Sequence, residues 1–174
     1  MSNIKIKDRS KLPFRKNCEG YFICKNGKII AQDTQKGYLE FPGGGVDEKE
    51  SPKDALIREA YEEAGVVLEG ELRKVGQLNF VWGENWAKTE KQKKRYKQYR
   101  GDEMHFFIGK VKELVCPKGD SCEAGWKNEV EMKIKEAINL IEKEKPFDKN
   151  LKEYYEFQLK ILKKFNKNNL PKDI

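Results

Sequence analysis

The stretch from Gly43 to Val66 limits what this chain can fold into more than any other part of the sequence. Three consecutive glycines open it, and an acidic loop then leads into a segment whose two ends are both marked as helix ends. Ser51 is a favoured capping residue, Pro52 suits the first helical position, and Gly65 suits the left-handed position that ends many helices. Apolar residues between them recur at helical spacing. The sequence therefore predicts a helix over residues 52–64.

Three glutamates lie on one face of this predicted helix. Glu59, Glu62 and Glu63 follow the i, i+3, i+4 spacing that brings side chains together, and like charges so placed repel by roughly a few tenths of a kcal/mol per exposed pair. A divalent cation would compensate them, because Mg²⁺ prefers oxygen ligands and usually shares the phosphates of a substrate. The preceding glycines allow the backbone to approach a metal or a phosphate. A solvated acidic helix face is the alternative explanation of the three glutamates alone.

The wider spacing resembles a family motif. Five residues separate the first glycine of the pattern from its first glutamate, and seven more precede an Arg-Glu pair. The matching positions are, in order, Gly44, Glu50, Arg58, Glu59, Glu62, Glu63, Gly65 and Val66. This pattern resembles the Nudix box of the Nudix hydrolase superfamily, whose MutT-like members are nucleotide pyrophosphohydrolases. Ala60 is a mild departure, since a larger aliphatic residue is usual there. Outside the box the resemblance extends only to the order of elements.

The resemblance implies both a fold and a reaction. The fold is α/β, a Nudix-type α/β/α sandwich around a mixed β-sheet with a C-terminal helix. The reaction is hydrolysis of a pyrophosphate bond in a nucleoside diphosphate-linked substrate by attack of water on phosphorus, with Mg²⁺ or Mn²⁺ as cofactor. Such a metal binds phosphate oxygens and lowers the pKa of a bound water. A (d)NTP or related nucleotide is the favoured substrate, because the marks of several other Nudix subfamilies are not evident.

The family's functional residues carry over onto the matching positions. The implied metal ligands are the Gly43 carbonyl, Glu59, Glu62 and Glu63. The implied catalytic residues are Glu50, Arg58, Glu59 and Glu62, with Arg58 pairing to Glu50 and holding the glutamates in place. The candidate contacts to substrate, several of them from outside the box, are Gly44, Gly45, Trp82, Glu103 and Glu129. For Trp82, as for Trp126, a packed core tryptophan is an equal alternative.

The general base is left open by the sequence. Glu59 is one candidate, and the others are carboxylates of later segments: Glu103, Glu129 and Glu131. Each of these three is equally an ordinary charge at the end of a strand. His105 is the only histidine and lies beside two phenylalanines, so we expect a half-buried strand residue there.

Hydrophobic patterning predicts alternating strands and helices around the box. Asn26-Gly27 joins two apolar runs and is the strongest short signal for a β-hairpin. The other predicted elements are strands over 38–41, 71–82, 104–111 and 130–134, a helix starting at residue 135, and a C-terminal helix over 147–166. The length of 174 residues fits one domain spanning residues 1–174.

Basic charge is concentrated in two segments. The net charge is +7, yet residues 1–18 carry six basic and one acidic side chain, and residues 83–101 carry seven and two, so each segment is +5 and the remainder about −3. We therefore expect a basic N-terminal arm or edge strand over 1–17 and a basic insertion over 83–101, with a short helix over 89–99. Because aromatic residues alternate with the basic ones, the insertion either contacts extra phosphates or a nucleic-acid backbone, with the aromatic residues stacking on a base, or is a solubilising loop.

Compartment and cysteine usage are consistent with an intracellular protein. Nothing resembles a transmembrane run or a signal peptide, which predicts a cytoplasmic location and no membrane partner. Free thiols are expected for the four cysteines, with a zinc site between Cys116 and Cys122 as the alternative. The sequence does not distinguish a monomer from a dimer.

Two alternatives to a nucleotide hydrolase stay open. The basic segments favour an enzyme that acts on the capped or triphosphorylated 5′ end of RNA. The third reading is a Nudix-fold module that binds a nucleotide or RNA without catalysis. Such modules usually lose carboxylates of the box, and this chain keeps all of them.

Overall fold

A mixed β-sheet forms the centre of the protein. The computed structural model describes residues 8–34, 38–116, 126, 130–143 and 151–166. The strands are β1 (Phe14–Ile23), β2 (Ile29–Ile30), β3 (Gln32–Asp33), β4 (Leu39–Glu40), β5 (Gly43–Gly45), β6 (Val66–Val81), β7 (Gly101–Leu114) and β8 (Glu131–Met132). The helices are a 3-10 turn (Arg9–Lys11), α1 (Pro52–Ala64), α2 (Glu90–Gln98), α3 (Ile134–Lys143) and α4 (Lys152–Asn166).

The strand order explains why the sheet is mixed. Along the main path it is β6-β7-β1-β2-β8, while β5 also pairs with β1, and β3 and β4 form a separate two-stranded sheet. β1 runs parallel to β7, whereas β6 pairs with β7 in the antiparallel sense, as β2 and β5 do with β1. The predicted hairpin is confirmed, with Gly27 at a φ of 77° in its turn.

Helices cover both faces of the sheet. On one face α1 packs through Leu56 and Ala60 against Phe22 and Phe107. On the other face α3 and α4 pack against the second set of buried strand residues, which includes Tyr21, Ile108 and Phe106. Opposite faces are buried because successive strand residues point in opposite directions. The predicted α/β/α sandwich with a C-terminal helix is therefore confirmed.

The first helix begins and ends where its sequence predicts. The Ser51 hydroxyl accepts a hydrogen bond from the backbone N–H of Asp54 at 3.2 Å, and Gly65 has the left-handed φ of 65° that closes the helix. Within α1 the buried residues include Leu56 and Ala60, whereas Ile57 is 41% exposed and lies outside the buried face. These two ends hold the glutamate-bearing turns in place.

The predicted N-terminal arm is wrong in its last residues. Residues 14–17 are the first part of β1, where Phe14 pairs with Gly101 and Asn17 pairs with both Met104 and Gly45. Residues 14–16 pair with β7 only, and Asn17 lies between β7 and β5, so these residues form a strand and not a free arm. This part of β1 is difficult to predict from the sequence because its residues are basic and polar, and its burial depends on the pairing with β7 and β5. Residues 1–7 lie outside the described residues.

The C-terminal helix docks through a polar anchor as well as apolar residues. The carboxylate of Glu19 on β1 is fully buried in protein and accepts hydrogen bonds from the hydroxyls of Tyr21 and Tyr154 and from the Gln158 amide. The buried residues of α4 are Gln158, Ile161, Leu162 and Phe165, and the half-buried Tyr155 and Leu159 pack against the same core. The first residues of the predicted 147–166 helix lie outside the described residues.

Two smaller expectations also change. The last strand is shorter than predicted, because Ile134 already begins α3 and β8 has only two residues. Cys18 and Cys24 are free and buried, as expected, but Cys116 is disulfide-bonded, so the prediction of a free thiol there is wrong. Cys122 lies outside the described residues.

No helix in the described parts of the chain is long and apolar enough to cross a membrane.

Candidate active site

The glycine strand brings the backbone against the glutamates of α1. In the pairing of β5 with β1, Gly44 lies opposite Cys18 and Gly43 opposite Glu19. A Cβ atom at position 44 would fall 2.5 Å from the carboxylate of Glu59, which is closer than real Cβ contacts come. A side chain there would displace the glutamate. Glycine is therefore what allows this carboxylate to lie against the backbone.

Arg58 connects the carboxylates of the loop and the helix. Its guanidinium donates to Glu50 at 2.7 and 3.3 Å, to Glu59 at 3.0 Å and to Glu62 at 3.3 Å. A further bond of 3.3 Å reaches the carbonyl of Gly45. The planar guanidinium has five donors in a fixed fork, which suits this many acceptors. The supporting role expected for Arg58, with Glu50 as its partner, agrees with these contacts.

Glu63 is held by the backbone of the glycine strand. Its carboxylate accepts a hydrogen bond of 3.0 Å from the Gly43 amide. The pKa of Glu63 is raised to about 7. Burial is the largest cause, the charges of Glu59, Glu40 and Glu62 act in the same direction, and the hydrogen bond from the Gly43 amide opposes the shift. Glu63 is thus a carboxylate that lacks positive charge in its surroundings.

The other carboxylates differ in their electrostatic environment. Hydrogen bonds from Arg58 hold the pKa of Glu50 below its usual value, and the same contacts raise the pKa of Arg58. Burial raises the pKa of Glu59 even though Arg58 opposes that shift. The positive charge of Arg58 therefore compensates the carboxylate of Glu50 well. It compensates the carboxylates of Glu59 and Glu63 incompletely.

The donor set fits a hard divalent cation by its chemistry. Glu59, Glu62 and Glu63 are brought to the same side of α1 beside the glycine strand, and the raised pKa values of Glu59 and Glu63 indicate a deficit that a cation would relieve. Among the described residues no group of three acidic, histidine or cysteine side chains is already arranged to hold a metal ion. Glu59 and Glu62 turn toward Arg58 and Glu63 toward an amide, so ligation requires these side chains to rotate.

The carboxylates outside the box that are candidates for the general base form contacts with other residues. Glu103 on β7 contacts the His105 ring at 2.7 Å, and burial lowers the pKa of His105. His105 is a buried strand residue, somewhat more enclosed than expected. Glu131 forms an ion pair with Lys28 at 3.5 Å next to the hairpin turn. Glu129 lies outside the described residues.

The tryptophans are packing residues in this structure. Trp82 is 4% exposed, its indole N–H donates to Asp102 at 2.7 Å, and its ring stacks on Trp86 with the ring centroids 3.7 Å apart. Trp82 therefore has no open face for a base, which favours the core alternative. The backbone N–H of Trp126 bonds to the carbonyl of Glu63 at 2.8 Å, so this residue fixes the end of α1.

One basic residue beside the site has no counterpart in the motif. The guanidinium of Arg15 donates to the side chain of Asn17, which in turn donates to Asp102, and it lies where a Cβ atom of Gly45 would be. The sequence predicts no role for Arg15 because the partners come from distant segments. The one sequence signal for Arg15 is the alternation of side chains along β1, which places Arg15 on the same face of the strand as Tyr21.

The topology and the carboxylate helix packed on a glycine strand define an α/β/α sandwich domain, and its family follows from direct comparison with known proteins. The family model described as the NUDIX domain matches residues 18–155. The chain belongs to the NUDIX domain family. The family resemblance expected from the box is thus confirmed and extends well beyond it.

Several characterised proteins resemble the chain in sequence. Diphosphoinositol polyphosphate phosphohydrolase 3-alpha of Mus musculus is 36% identical over 105 residues, which cover 60% of this chain and 53% of that protein. The RNA pyrophosphohydrolase of Tolumonas auensis is 44% identical over 55 residues, covering 30% of this chain and 31% of that protein. The match spans about half the length of the first of these relatives and less of the second.

A solved structure confirms the fold independently. A MutT structure from work on Aliivibrio salmonicida and Vibrio cholerae superposes with a TM-score of 0.51 at 17% identity, covering 84% of this chain and 96% of that chain. Identity at this level shows a shared fold alone.

Proposed function

We propose that the protein is a metal-dependent pyrophosphohydrolase that cleaves a phosphoanhydride by attack of water on phosphorus. The observation that carries this proposal is the cluster of Glu59, Glu62 and Glu63 beside the glycine strand, with Arg58 bonded to two of them. The hydrolase names of the relatives support the same class of reaction.

Each residue of the cluster has a distinct proposed task. Glu59, Glu62 and Glu63, with the carbonyl of Gly43, would hold Mg²⁺ or Mn²⁺, which supplies Lewis acidity and a lowered pKa of bound water. Arg58 keeps Glu59 and Glu62 on the site side of α1. The Gly43 amide orients Glu63. These contacts restrict the side chains before substrate binds, which reduces the ordering cost at the reacting centre.

Glu59 is the proposed general base. Its carboxylate lies inside the cluster against Gly44. Glu103 is bonded to His105, and Glu131 is bonded to Lys28 and Asn26 near the hairpin turn. A base must lie within hydrogen-bond reach of the water that it activates, so position favours Glu59.

The proposed substrate is a nucleotide or a related compound that carries a pyrophosphate group. A (d)NTP is the simplest member of this class. The relatives broaden it, because one is named for diphosphoinositol polyphosphates and another for RNA pyrophosphate. All three kinds of compound present an anhydride next to further negative charge. The cytoplasmic location expected from the sequence stays a prediction.

The 5′ end of RNA is a second candidate substrate, favoured by α2. This helix carries exposed lysines on its outer surface, namely Lys91, Lys93, Lys94 and Lys97. Basic side chains that contact a phosphate backbone give binding that weakens steeply with salt. A triphosphorylated oligoribonucleotide should then be a better substrate than a free nucleotide, with a KM that rises steeply with salt. Equal KM values and equal salt dependence for the two substrates would rule out this candidate.

A substrate panel tests the proposed reaction. The purified protein is incubated with Mg²⁺ and with nucleoside triphosphates, a diphosphoinositol polyphosphate and a triphosphorylated oligoribonucleotide, and the products are resolved. We expect release of phosphate or pyrophosphate that EDTA abolishes and that the Glu62→Gln variant lacks. A compound that binds but is never cleaved would favour the non-catalytic module instead.

A further inference from the structure

Arg15 is held in a fixed position at the end of the glycine strand. Its guanidinium donates to the side-chain oxygen of Asn17 and occupies the space above Gly45 that any side chain there would fill. Asn17 is only 5% exposed and is itself bonded to Asp102. A buried polar chain thus fixes a cation within a few residues of the box.

The carboxylate beside Arg15 is already occupied by other donors. One oxygen of Asp102 accepts from Asn17 and the other accepts from the indole of Trp82 at 2.7 Å. In the described part of the chain, Arg15 has no ion-pair partner within 4.0 Å. Asp102 therefore positions Arg15 through Asn17, and its charge acts on Arg15 without a direct contact.

A second guanidinium lies on α2. Arg95 precedes Tyr96, whose ring stacks with Trp86, and Trp86 in turn covers Trp82, the indole that bonds to Asp102. The side chain of Arg95 is half-buried and, within the described ranges, also has no ion-pair partner. Its charge lowers the pKa of Arg15, after the effect of burial, while the charges of Asp102 and Glu59 raise it. An anion would relieve the repulsion between the two guanidinium groups.

The helix that carries Arg95 is anchored to the body of the domain. Trp86 stacks between Trp82 and Tyr96, with centroid distances of 3.7 and 6.5 Å. Arg9 lies 3.1 Å above the centre of the Tyr96 ring and donates to the carbonyls of Tyr96, Tyr99 and Arg100, at the end of the helix where a cation is favoured. These contacts hold α2, and with it Arg95, against the part of the domain that carries Asp102 and Trp82.

We propose that Arg15 and Arg95 form an anion site that binds a phosphate group of the substrate outside the bond that is cleaved. This inference rests on the proposed function for the identity of the substrate, because it places the extra phosphate next to the carboxylate cluster. Guanidinium groups match phosphate oxygens in geometry and in charge. Glu59 borders the site, since its carboxylate lies against Gly44 and the Arg15 guanidinium lies against the adjacent Gly45. The site selects substrates with at least one phosphate more than the scissile pair.

Binding of inorganic tripolyphosphate in EDTA tests the site without metal and without turnover. Titration calorimetry compares the wild type with Arg15→Gln and Arg95→Gln, and uses Lys112→Gln as a charge-matched control at the far end of β7. We expect Arg15→Gln to weaken binding about tenfold or more, Arg95→Gln to weaken it by a smaller factor, and Lys112→Gln to leave it unchanged. Wild-type affinity in Arg15→Gln would overturn the proposal.

A second variant separates loss of the site from loss of the fold. Gly45→Ala keeps both arginines and pushes the Arg15 guanidinium from its position, so it should also weaken tripolyphosphate binding at an unchanged thermal midpoint. Unchanged binding in Gly45→Ala would count against the site as placed here. The result is independent of the reaction: a protein that hydrolyses nucleotides but binds tripolyphosphate equally well in every variant refutes the anion site alone. A protein that binds it through Arg15 but hydrolyses nothing refutes the proposed reaction alone.

Discussion

Two neighbouring regions of this protein are built in opposite ways. The box region joins β5 to α1 through residues close in sequence, and its exposed groups are mainly carboxylates around Arg58. The second region joins the N-terminal segment to α2, and its contacts link positions 85 to 91 residues apart, such as Arg9 with Arg100 and Asn17 with Asp102. The second region is basic, and aromatic stacking holds its helix in place. We therefore assign the proposed reaction to the first region and substrate recognition to the second.

The largest expected effect is that of Glu62→Gln in the box region. This side chain is 44% exposed, so the substitution should leave the fold and the thermal midpoint unchanged. Loss of one metal-binding charge should lower kcat by about 100-fold or more. Steady-state kinetics at saturating Mg²⁺ provide the measurement. Activity close to that of the wild type would place the reaction outside the box.

A smaller effect is expected when Arg58 is replaced by lysine. The charge is kept, but the fork that reaches Glu50, Glu59 and Glu62 together is lost. We expect kcat to fall about tenfold and the midpoint of thermal unfolding to fall by a few degrees, since a hydrogen bond to a charged group contributes about 1.5–3 kcal/mol. If Arg58→Lys matches the wild type in both measurements, the arginine supplies charge only.

In the second region, Trp86→Ala should act on binding and leave the reaction intact. Removing the ring between Trp82 and Tyr96 loosens α2 and costs about 1–2 kcal/mol of unfolding free energy. We expect KM to rise about threefold at unchanged kcat, because Arg95 loses its fixed position. Urea unfolding and steady-state kinetics check the two parts. A fall in kcat without a change in KM would break the division between the regions.

The smallest effect concerns the anchor of the C-terminal helix, remote from both regions. Burial raises the pKa of Glu19 above its ordinary 4.5, so the folded state keeps the proton that the unfolded state releases. The stabilisation is complete below about pH 4.5 and is lost as pH rises toward the folded pKa, by at most about 1.4 kcal/mol per pH unit.

Glu19→Gln should remove that dependence and retain a hydrogen-bonding side chain. We expect the urea midpoint of the variant to change less between about pH 5 and about pH 8 than the midpoint of the wild type, with kcat unaffected. A wild-type protein whose stability increases with pH over this range would show that Glu19 is ionised in the fold.

The box could be predicted from the sequence because its information is local. A capping serine, a closing glycine and three glutamates at i, i+3, i+4 are fixed by helix geometry alone. The family resemblance then added the sandwich fold, which periodicity does not specify. The pairing of Arg58 with Glu50 that the resemblance implies is present in the structure.

The second region could be predicted only in part. The basic insertion and its helix are local signals and are present as α2. The contacts that hold this region could not be predicted, because they depend on long-range pairing. Arg15 and Asn17 look like part of a charged arm until β7 and β5 bury the strand that carries them. Trp82 looks like a stacking platform until Trp86 covers its face. The polar docking of α4 was hidden for the same reason, since Glu19 and Gln158 are 139 residues apart.

The most direct test of the central claim is a comparison of kcat and KM for Glu62→Gln and Arg15→Gln on the best substrate of the Mg²⁺-dependent panel. If the box carries the reaction and the second region carries recognition, Glu62→Gln lowers kcat, and Arg15→Gln raises KM about tenfold with little change in kcat. A fall in kcat without a rise in KM for Arg15→Gln, or a wild-type kcat for Glu62→Gln, would contradict the account.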